Sequence, residues 1–246
     1  MPAKHLHLRR AAARPQTRLL DDSPLHYIGR VPTWVYLAVA LAGYLLGSLP
    51  TGYLVARARG VDIRAAGSGN IGATNAFRVL GKAAGSFVLA VDALKGALAC
   101  WVLPLAAAAL SDGGNLRSGS QPLAVIAGVA AILGHNYTCW LRFKGGKGIA
   151  TSAGVLLVLM PAALGLCLAV WLLVFAASRY VSLASIASAV ALPAAVWATR
   201  GSGLLIGVAC VLSAMAIYKH RTNIQRLLAG TEHRLGRAKT AVKPKS

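Results

Sequence analysis

Long apolar runs alternate with short polar segments along most of the chain, and their lengths predict helices that cross a membrane. The first three runs cover roughly residues 33–55, 84–110 and 122–140, and a fourth stretch extends from 149 to 218. Backbone N–H and C=O groups in lipid must be bonded within the protein, so runs of this length predict helices. The runs show no alternation with a period of two, which favours an all-α fold, a polytopic membrane helical bundle.

The fourth apolar stretch is interrupted by polar or helix-breaking residues. The breaks lie at Pro161, around Arg179 and around Arg200. The pieces between them cover about 149–160, 162–177, 181–198 and 203–218. These four pieces bring the predicted total to about seven membrane helices. Some pieces are shorter than the ~20 residues of a straight span, so five helices, with only two spans in this stretch, are the alternative.

Basic residues concentrate in three polar segments, 56–82, 141–148 and 219–246, whereas segment 111–121 has one acidic and one basic residue. Cytoplasmic loops of membrane proteins are enriched in Lys and Arg. The three basic segments and the C-terminus are therefore expected in the cytoplasm, and segment 111–121 outside. An odd number of crossings then puts the N-terminus outside. The basic residues of 1–32 favour the cytoplasmic side instead, and the sequence leaves this conflict open.

Composition narrows the class of protein further. Of the 246 residues, 57% are hydrophobic and 13% are charged, which excludes a disordered chain. Lys and Arg total 26 against 6 Asp and Glu, a formal charge of +20. A soluble nucleic-acid binder would explain the charge but not the apolar runs, so membrane lipid and not nucleic acid is the expected partner. The predicted organisation is a basic N-terminal extension (1–32), a membrane domain (33–236) and a basic tail (237–246).

The first polar segment with candidate chemistry reads GSGNIGATN at 67–75 and is followed by Arg78. Glycines let backbone amides turn toward an anion, and an arginine adds a planar charged group suited to phosphate oxygens. The candidate binding residues are Gly67, Ser68, Gly69, Asn70, Gly72, Thr74, Asn75 and Arg78. A flexible linker is the alternative. A dinucleotide site is rejected because no βαβ unit surrounds the glycines.

The second polar segment combines glycines with lysines. Its candidate residues are His135, Asn136, Lys144, Gly145, Gly146, Lys147 and Gly148. The pattern is not a Walker A loop, because Gly148 occupies the position of the magnesium-binding Ser or Thr. The alternative is a basic loop that only fixes the membrane topology.

The third polar segment covers 220–232. His220 and Asn223 are three residues apart and share one face of a helix, which Arg226 continues. Glu232 is the single acidic residue after Asp112, so it is expected to pair with a basic side chain. The alternative is an amphipathic helix that lies on anionic lipid.

Two further sets of residues lie inside the apolar runs. Asp92 and Lys95 are three residues apart, and a structural ion pair is favoured over a role in substrate binding. The cysteines are Cys100, Cys139, Cys167 and Cys210. They are interpreted as packing residues, and no metal or cofactor is expected.

Taken together, the strings at 67–75, 134–136, 143–151 and 220–232 resemble the three motifs of the bacterial membrane acyl-phosphate:glycerol-3-phosphate acyltransferase family, PlsY. The resemblance covers about 33–236. It implies seven membrane helices in the bacterial inner membrane, with the motif loops facing the cytoplasm. It also implies transfer of a fatty acyl group from acyl phosphate to the 1-hydroxyl of glycerol 3-phosphate, giving lysophosphatidic acid and phosphate in the first step of phospholipid synthesis.

The resemblance further implies roles for individual residues. Catalytic roles fall on Ser68, His220 and Asn223. Ser68 and Arg78 match the substrate-binding serine and arginine of the first motif, and either Lys144 or Lys147 matches the lysine that holds phosphate. Glu232 matches the acidic residue of the third motif. A departure lies between His135 and Phe143, where the family usually has Phe and Pro and this chain reads NYTCW at 136–140.

The residues also fit the chemistry that the resemblance implies. Phosphate leaves an acyl phosphate readily, so the site mainly has to hold two anions and orient one hydroxyl. The HxxxxD pair of acyl-CoA-dependent enzymes is absent, since Trp140 and Gln225 lie five residues after the two motif histidines. A substrate phosphate oxygen or His220 is expected to accept the hydroxyl proton. A transporter or channel for a phosphorylated anion and a lipid-binding scaffold are the alternatives, and acyl-chain preference and oligomeric state stay open.

Overall fold

The computed structural model describes residues 31–110 and 121–235, and all regular secondary structure in these two stretches is helical. The α-helices are α1 (Thr33–Ser48), α2 (Thr51–Arg57), α3 (Ala73–Leu80), α4 (Lys82–Leu110), α5 (Gln121–Asn136), α6 (Ile149–Leu159), α7 (Pro161–Ser178), α8 (Val181–Ala198), α9 (Gly203–Lys219) and α10 (Arg221–Leu228), with a short 3₁₀ turn at Cys139–Leu141. This confirms the predicted all-α class. Most of the predicted N-terminal extension, nearly all of segment 111–121 and the tail 237–246 lie outside the described residues.

Five helical segments of the described chain are long and apolar enough to cross a membrane. They are Thr33–Arg57, Lys82–Ala109, Gln121–Leu141, Pro161–Ser178 and Val181–Ala198. The pair α9 and α10, bent by 56°, counts as a sixth candidate if it is one span. Helix α6 is apolar but has only 11 residues, about half of what a straight span requires. The predicted count of seven is therefore not confirmed, because α6 is shorter than a straight span and α9 qualifies only together with α10.

The breaks predicted within the fourth apolar stretch are confirmed. Helix α6 ends at Leu159, and Pro161 begins α7 at a position where the missing N–H costs no helical hydrogen bond. Arg179 and Arg200 adopt left-handed φ angles of 62° and 58° and separate α7 from α8 and α8 from α9. Short local signals thus mark the ends of these helices.

Glycines allow close contact between the helices that carry the second polar segment. Helix α1 packs along α5, and α4 packs along α6. A Cβ at Gly47 would overlap the backbone of Ala131, and a Cβ at Gly154 would overlap the carbonyl of Ala93. Helices in lipid associate through this kind of contact between small residues, since no hydrophobic driving force acts between them. The contacts fix the end of α5 and the start of α6, and the second polar segment lies between them.

Helix α7 has a different environment. Only 11% of its most apolar stretch is buried, and it packs mainly against α8. Leu172 and Leu173 are 53% and 71% exposed, so this side of the bundle presents an apolar surface suited to lipid.

The close contact between α4 and α6 can be tested with a matched pair of glycine variants. Gly154→Ala is expected to lower the free energy of unfolding by about 1–3 kcal/mol, the usual cost of overpacking, because its Cβ would overlap the Ala93 carbonyl. Gly165→Ala is the control, since an added Cβ there would have no other helix and no side chain beyond its chain neighbours within 4 Å, and alanine favours the helix. Unfolding of the detergent-solubilised protein measures both, and equal stability of the two variants would contradict the predicted contact.

Candidate active site

The three polar segments singled out in the sequence converge on one cavity of about 390 Å³. The first segment contributes Ser68 and Arg78, the second Lys147, and the third His220 and Asn223. The remaining wall comes largely from α6, α7, α8 and α9. Residues that are distant in the chain therefore share one chamber.

The structure separates the predicted site residues into two groups. Those that line the cavity are Ser68, Asn70, Gly72, Thr74, Asn75, Arg78, His135, Lys147, Gly148, His220, Asn223 and Glu232. Those outside its lining are Gly67, Gly69, Asn136, Lys144, Gly145 and Gly146. Close backbone contacts account for the position of Gly67, Gly145 and Gly146.

Asn75 organises the first segment. Its Nδ2 donates to the carbonyls of Ile63, Ala66 and Asn70. Its Oδ1 accepts from the backbone N–H of Ser68 at 2.8 Å. Asn75 is 2% exposed, so its polar atoms are used within the segment. Its contacts are those of a residue that holds the turn, and they keep Ser68 at the cavity wall.

Glycines outside the lining permit close packing of the backbone. Gly67 has a φ of +62°, and a Cβ there would overlap the amide oxygen of Asn75. A Cβ at Gly145 would overlap the carbonyl of His135, and a Cβ at Gly146 would overlap the His135 ring. The N–H of Gly146 donates to that carbonyl at 3.0 Å. The second segment is thus folded tightly onto the end of α5.

The two lysines of the second segment lie on different sides of this turn. Lys147 lines the cavity, and its Nζ donates to Oδ1 of Asn223. Lys144 is exposed and lies outside the cavity lining. The sequence left the choice between these lysines open, and the position of Lys147 in the cavity wall favours it as the anion-binding lysine.

The Glu232 carboxylate connects the second and third segments to α8. Its Oε1 accepts from Nδ2 of Asn223 at 2.8 Å and from the hydroxyl of Ser182 at 3.0 Å. Its Oε2 accepts from Nε of Arg226 at 2.8 Å, which confirms the predicted pairing with a basic residue. Asn223 in turn accepts from Lys147. A carboxylate with this many donors orients its neighbours and is poorly placed to act as a free base.

Burial and charge shift the pKa values of two groups at this end of the cavity. Burial lowers the pKa of Lys147 to about 8, although the charge of Glu232 opposes the shift. Burial raises the pKa of Glu232, but hydrogen bonds from Arg226, Asn223 and Ser182 outweigh it and leave that pKa below its ordinary value. At neutral pH the Glu232 carboxylate is therefore ionised. The Lys147 ammonium is mostly charged, with its pKa only slightly above that pH.

Arg78 reaches the cavity from α3, an eight-residue amphipathic helix. Thr74 and Arg78 lie one turn apart on this helix, and both line the cavity. Burial lowers the pKa of Arg78, but a guanidinium remains a cation at neutral pH. Among the described residues, no hydrogen bond joins its guanidinium to a protein acceptor. Arg78 is therefore available to bind an anion.

Two histidines line the cavity in different settings. His220, at the bend between α9 and α10, has Nδ1 at 2.7 Å from the carbonyl oxygen of Ala216. This contact places a proton on Nδ1 and leaves a lone pair on Nε2. Nδ1 of His135 lies 3.6 Å from Oδ1 of Asp92. A histidine and an aspartate thus approach each other between α5 and α4, although the sequence has no HxxxxD motif.

Part of the cavity wall lies two or more helical turns from the polar segments along α6–α9 and forms an apolar arm. This arm is lined by Leu156, Leu164, Leu168, Trp171, Leu192 and Leu212. Nε1 of Trp171 donates to the hydroxyl of Ser185 at 3.2 Å. Leu168 is 51% exposed, so the arm lies beside the apolar outer surface of α7.

Sequence analysis missed several lining residues because they lie inside apolar runs. Ser182, Ser185 and Ser188 recur every three residues and line the cavity from α8. Their helical spacing is the signal that marks a polar stripe within an otherwise apolar run. Asp92 also lines the cavity, and the predicted ion pair is confirmed by a distance of 2.8 Å between its Oδ1 and Nζ of Lys95.

The described residues contain neither a metal-binding cluster nor a disulfide bond. Across residues 31–110 and 121–235, no group of three or more His, Cys, Asp and Glu side chains is arranged to hold a metal ion. The cysteines there are free thiols.

Similarity to known proteins identifies the family. A model of the family described as glycerol-3-phosphate acyltransferase matches residues 37–230. The chain belongs to the glycerol-3-phosphate acyltransferase family. The acyltransferase of Geobacter sulfurreducens is 46% identical over 198 residues, which cover 80% of this chain and 96% of the relative. That of Rhizobium meliloti is 45% identical over 201 residues, which cover 81% and 92%.

The structure of this chain is also similar to two crystal structures of PlsY (YgiH), an integral membrane glycerol 3-phosphate acyltransferase. The glycerol 3-phosphate form has a TM-score of 0.73 at 38% identity, covering 82% of this chain and 96% of that chain. The lysophosphatidic acid form has a TM-score of 0.71 at 38% identity, with coverage of 82% and 95%. The resemblance drawn from the three motifs is confirmed.

The two lysines of this acyltransferase provide a matched test of the anion site. Lys147→Met is expected to weaken binding of glycerol 3-phosphate by roughly tenfold or more, because a charge-assisted hydrogen bond contributes about 1.5–3 kcal/mol. Lys144→Met removes the same charge from an exposed position and is expected to change affinity less than about twofold. Titration calorimetry measures both variants. Equal losses would contradict the assignment of Lys147.

The same site also predicts a pH dependence. Because the pKa of Lys147 is lowered to about 8, wild-type affinity for the anion is expected to fall as the pH rises through that value and the cation is lost. Lys147→Met is expected to lack this fall, whereas Lys144→Met keeps it.

Proposed function

We propose that this protein transfers a fatty acyl group from an acyl phosphate to the 1-hydroxyl of glycerol 3-phosphate, giving lysophosphatidic acid and inorganic phosphate. The observation that carries the proposal is one cavity with cationic, amide and hydroxyl groups at one end and an apolar arm at the other. One substrate is a small phosphate ester, and the other is a phosphate joined to an apolar chain. The related PlsY structures are described as a glycerol 3-phosphate form and a lysophosphatidic acid form, a substrate and a product of this reaction.

The charges at the polar end support binding of two phosphates. Arg78 and Lys147 line the cavity, and the pairing of Arg226 with Glu232 offsets the acidic charge there. Cations held in a partly buried site interact with phosphate oxygens more strongly than they do in water. They also stabilise the negative charge that develops on the carbonyl oxygen during acyl transfer.

The reaction needs little beyond positioning and electrostatic stabilisation. The 1-hydroxyl oxygen attacks the carbonyl carbon of the acyl phosphate, and the carbonyl electron pair moves onto its oxygen. When that pair returns, the bond from carbon to the phosphate oxygen breaks and phosphate leaves with the electrons. The hydroxyl proton passes to a phosphate oxygen of the substrate. Ser68 and Asn223 orient the reacting groups through hydrogen bonds.

The apolar arm provides a place for the acyl chain. Its leucines and Trp171 lie on α6–α9, next to the outer surface of α7. Burial of an alkyl chain contributes about 0.8 kcal/mol per CH₂ group. The arm therefore favours a fatty acyl donor over a short one. The choice of acyl phosphate as the donor rests on the resemblance of the three motifs and on the absent HxxxxD pair.

We place the polar end at the cytoplasmic face of the bacterial inner membrane, with the C-terminus inside and the N-terminus outside. The basic segments 56–82 and 141–148 contribute to the same end of the cavity, and so does the third segment, at the start of the basic tail. The N–H of Leu235 donates to the carbonyl of Arg179 at 3.0 Å, so the break between α7 and α8 lies at this end also. Three basic regions on one side agree with the cytoplasmic enrichment of Lys and Arg.

A substitution at His220 tests whether this residue acts as the general base. If the substrate phosphate accepts the proton, His220→Gln is expected to lower kcat by less than about tenfold, because removal of a general base costs about 10²–10⁴. The pH–rate profile of the variant is expected to follow that of the wild type. A fall of a hundredfold or more, with loss of the acidic limb, would instead assign the base to His220.

The donor is tested with purified protein in lipid vesicles, labelled glycerol 3-phosphate and either palmitoyl phosphate or palmitoyl-CoA. We expect labelled lysophosphatidic acid and an equal release of phosphate with palmitoyl phosphate alone, and loss of both in Ser68→Ala. Product only with palmitoyl-CoA would overturn the donor assignment. Uptake of glycerol 3-phosphate into the vesicles without acylation would favour a transporter.

A further inference from the structure

We infer that Asp92, Lys95 and His135 are positioning residues that hold the Lys147 loop, residues 142–148, at the phosphate end of the cavity. Its kinetic test rests on the proposed function, since the readout is the use of glycerol 3-phosphate. The reaction scheme leaves these buried polar groups without a role, and their contacts connect them to the loop.

The ion pair is buried deep within the helical bundle. Asp92 and Lys95 are 1% and 3% exposed. Nζ of Lys95 lies 2.8 Å from Oδ1 of Asp92 and also donates to the carbonyl of Leu49 at 2.9 Å, just beyond the end of α1. A buried ion pair often contributes no more stability than apolar residues of similar shape, because desolvation offsets the attraction. Stability alone is therefore a weak explanation for this pair.

Asp92 lies close to polar groups from three separate elements. Thr51 at the start of α2 donates its hydroxyl to Oδ1 at 3.2 Å. Lys95 contributes from α4, and Nδ1 of His135 at the end of α5 lies 3.6 Å from the same oxygen. With its charge compensated and its exposure near zero, the carboxylate is poorly suited to contact a phosphate, which it would repel. The carboxylate instead limits the position of the His135 ring through this 3.6 Å contact.

His135 carries this constraint to the loop. Its carbonyl accepts from the N–H of Gly146 at 3.0 Å. Its ring lies so close to Gly146 that a Cβ there would overlap Nε2. Lys147 is the next residue, and its Nζ donates to Asn223 inside the cavity. A continuous set of contacts thus runs from the buried ion pair to the cation that meets the substrate.

The double variant Asp92→Asn/Lys95→Met separates positioning from folding. It removes both charges and nearly keeps the volumes of the side chains, so the protein is expected to fold with a Tm close to that of the wild type. The KM for glycerol 3-phosphate is expected to rise about tenfold or more, with kcat changed less than about threefold. Hydrogen exchange at residues 142–148 is expected to become faster, while exchange in α1 stays unchanged.

Cys100→Ala is the control for a general loss of stability. Cys100 is 3% exposed in the same helix α4, and its Sγ donates to the carbonyl of Ala124, away from the Lys147 loop. Its effect is expected to be confined to Tm, with KM and loop exchange as in the wild type. A folded double variant with wild-type KM and wild-type loop exchange would overturn the inference.

A second variant keeps the inference testable if the double variant does not fold. His135→Gln leaves the ion pair in place and removes the ring that packs on Gly146, so the same rise in KM and in loop exchange is expected. Unchanged loop exchange in this folded variant would also overturn the inference. Absence of any acylation by the wild type would refute the proposed function, whereas the exchange measurement would still decide on positioning.

Discussion

The hydrogen bonds to the Glu232 carboxylate are the interaction on which the rest of the site depends. Arg226, Lys147 and Arg78 all lie around the polar end of the cavity, where their like charges repel one another. One ionised carboxylate, bonded to Asn223 and Arg226, offsets part of that repulsion. It also joins α10 to α8 through Ser182. A single acidic group therefore lets a cationic site exist at the end of a largely apolar bundle.

Local signals were sufficient to predict the breaks in the fourth apolar stretch, whereas the convergence of the three segments was predicted from their shared basic charge and from the resemblance. Pro161 and Arg179 mark helix ends because a ring without an N–H and a polar break within an apolar run act on their immediate neighbours. The number of spans was harder to predict. Whether the 11 residues of α6 cross the bilayer depends on packing against other helices, which composition does not describe.

Finer features of the site depend on tertiary contacts. Lys144 and Lys147 have the same chemistry and lie in one short loop, so only the packing of Gly146 against His135 decides which of them lines the cavity. The sequence predicted that Asn75 binds substrate. Its amide instead donates to three backbone carbonyls, which come together only in the folded turn. The approach of Asp92 to His135 likewise joins two helices and has no sequence signature of fixed spacing.

Leu168 belongs to the apolar arm and to the outer surface of α7 at once. In the proposed reaction, the wall of the acyl site therefore also faces the bilayer. For a reaction whose donor and product both reside in a leaflet, the relevant quantity is then the mole fraction of donor among the lipids, not its amount per volume of water. Diluting the donor with inert phospholipid would slow turnover even at constant bulk concentration, as in surface-dilution kinetics.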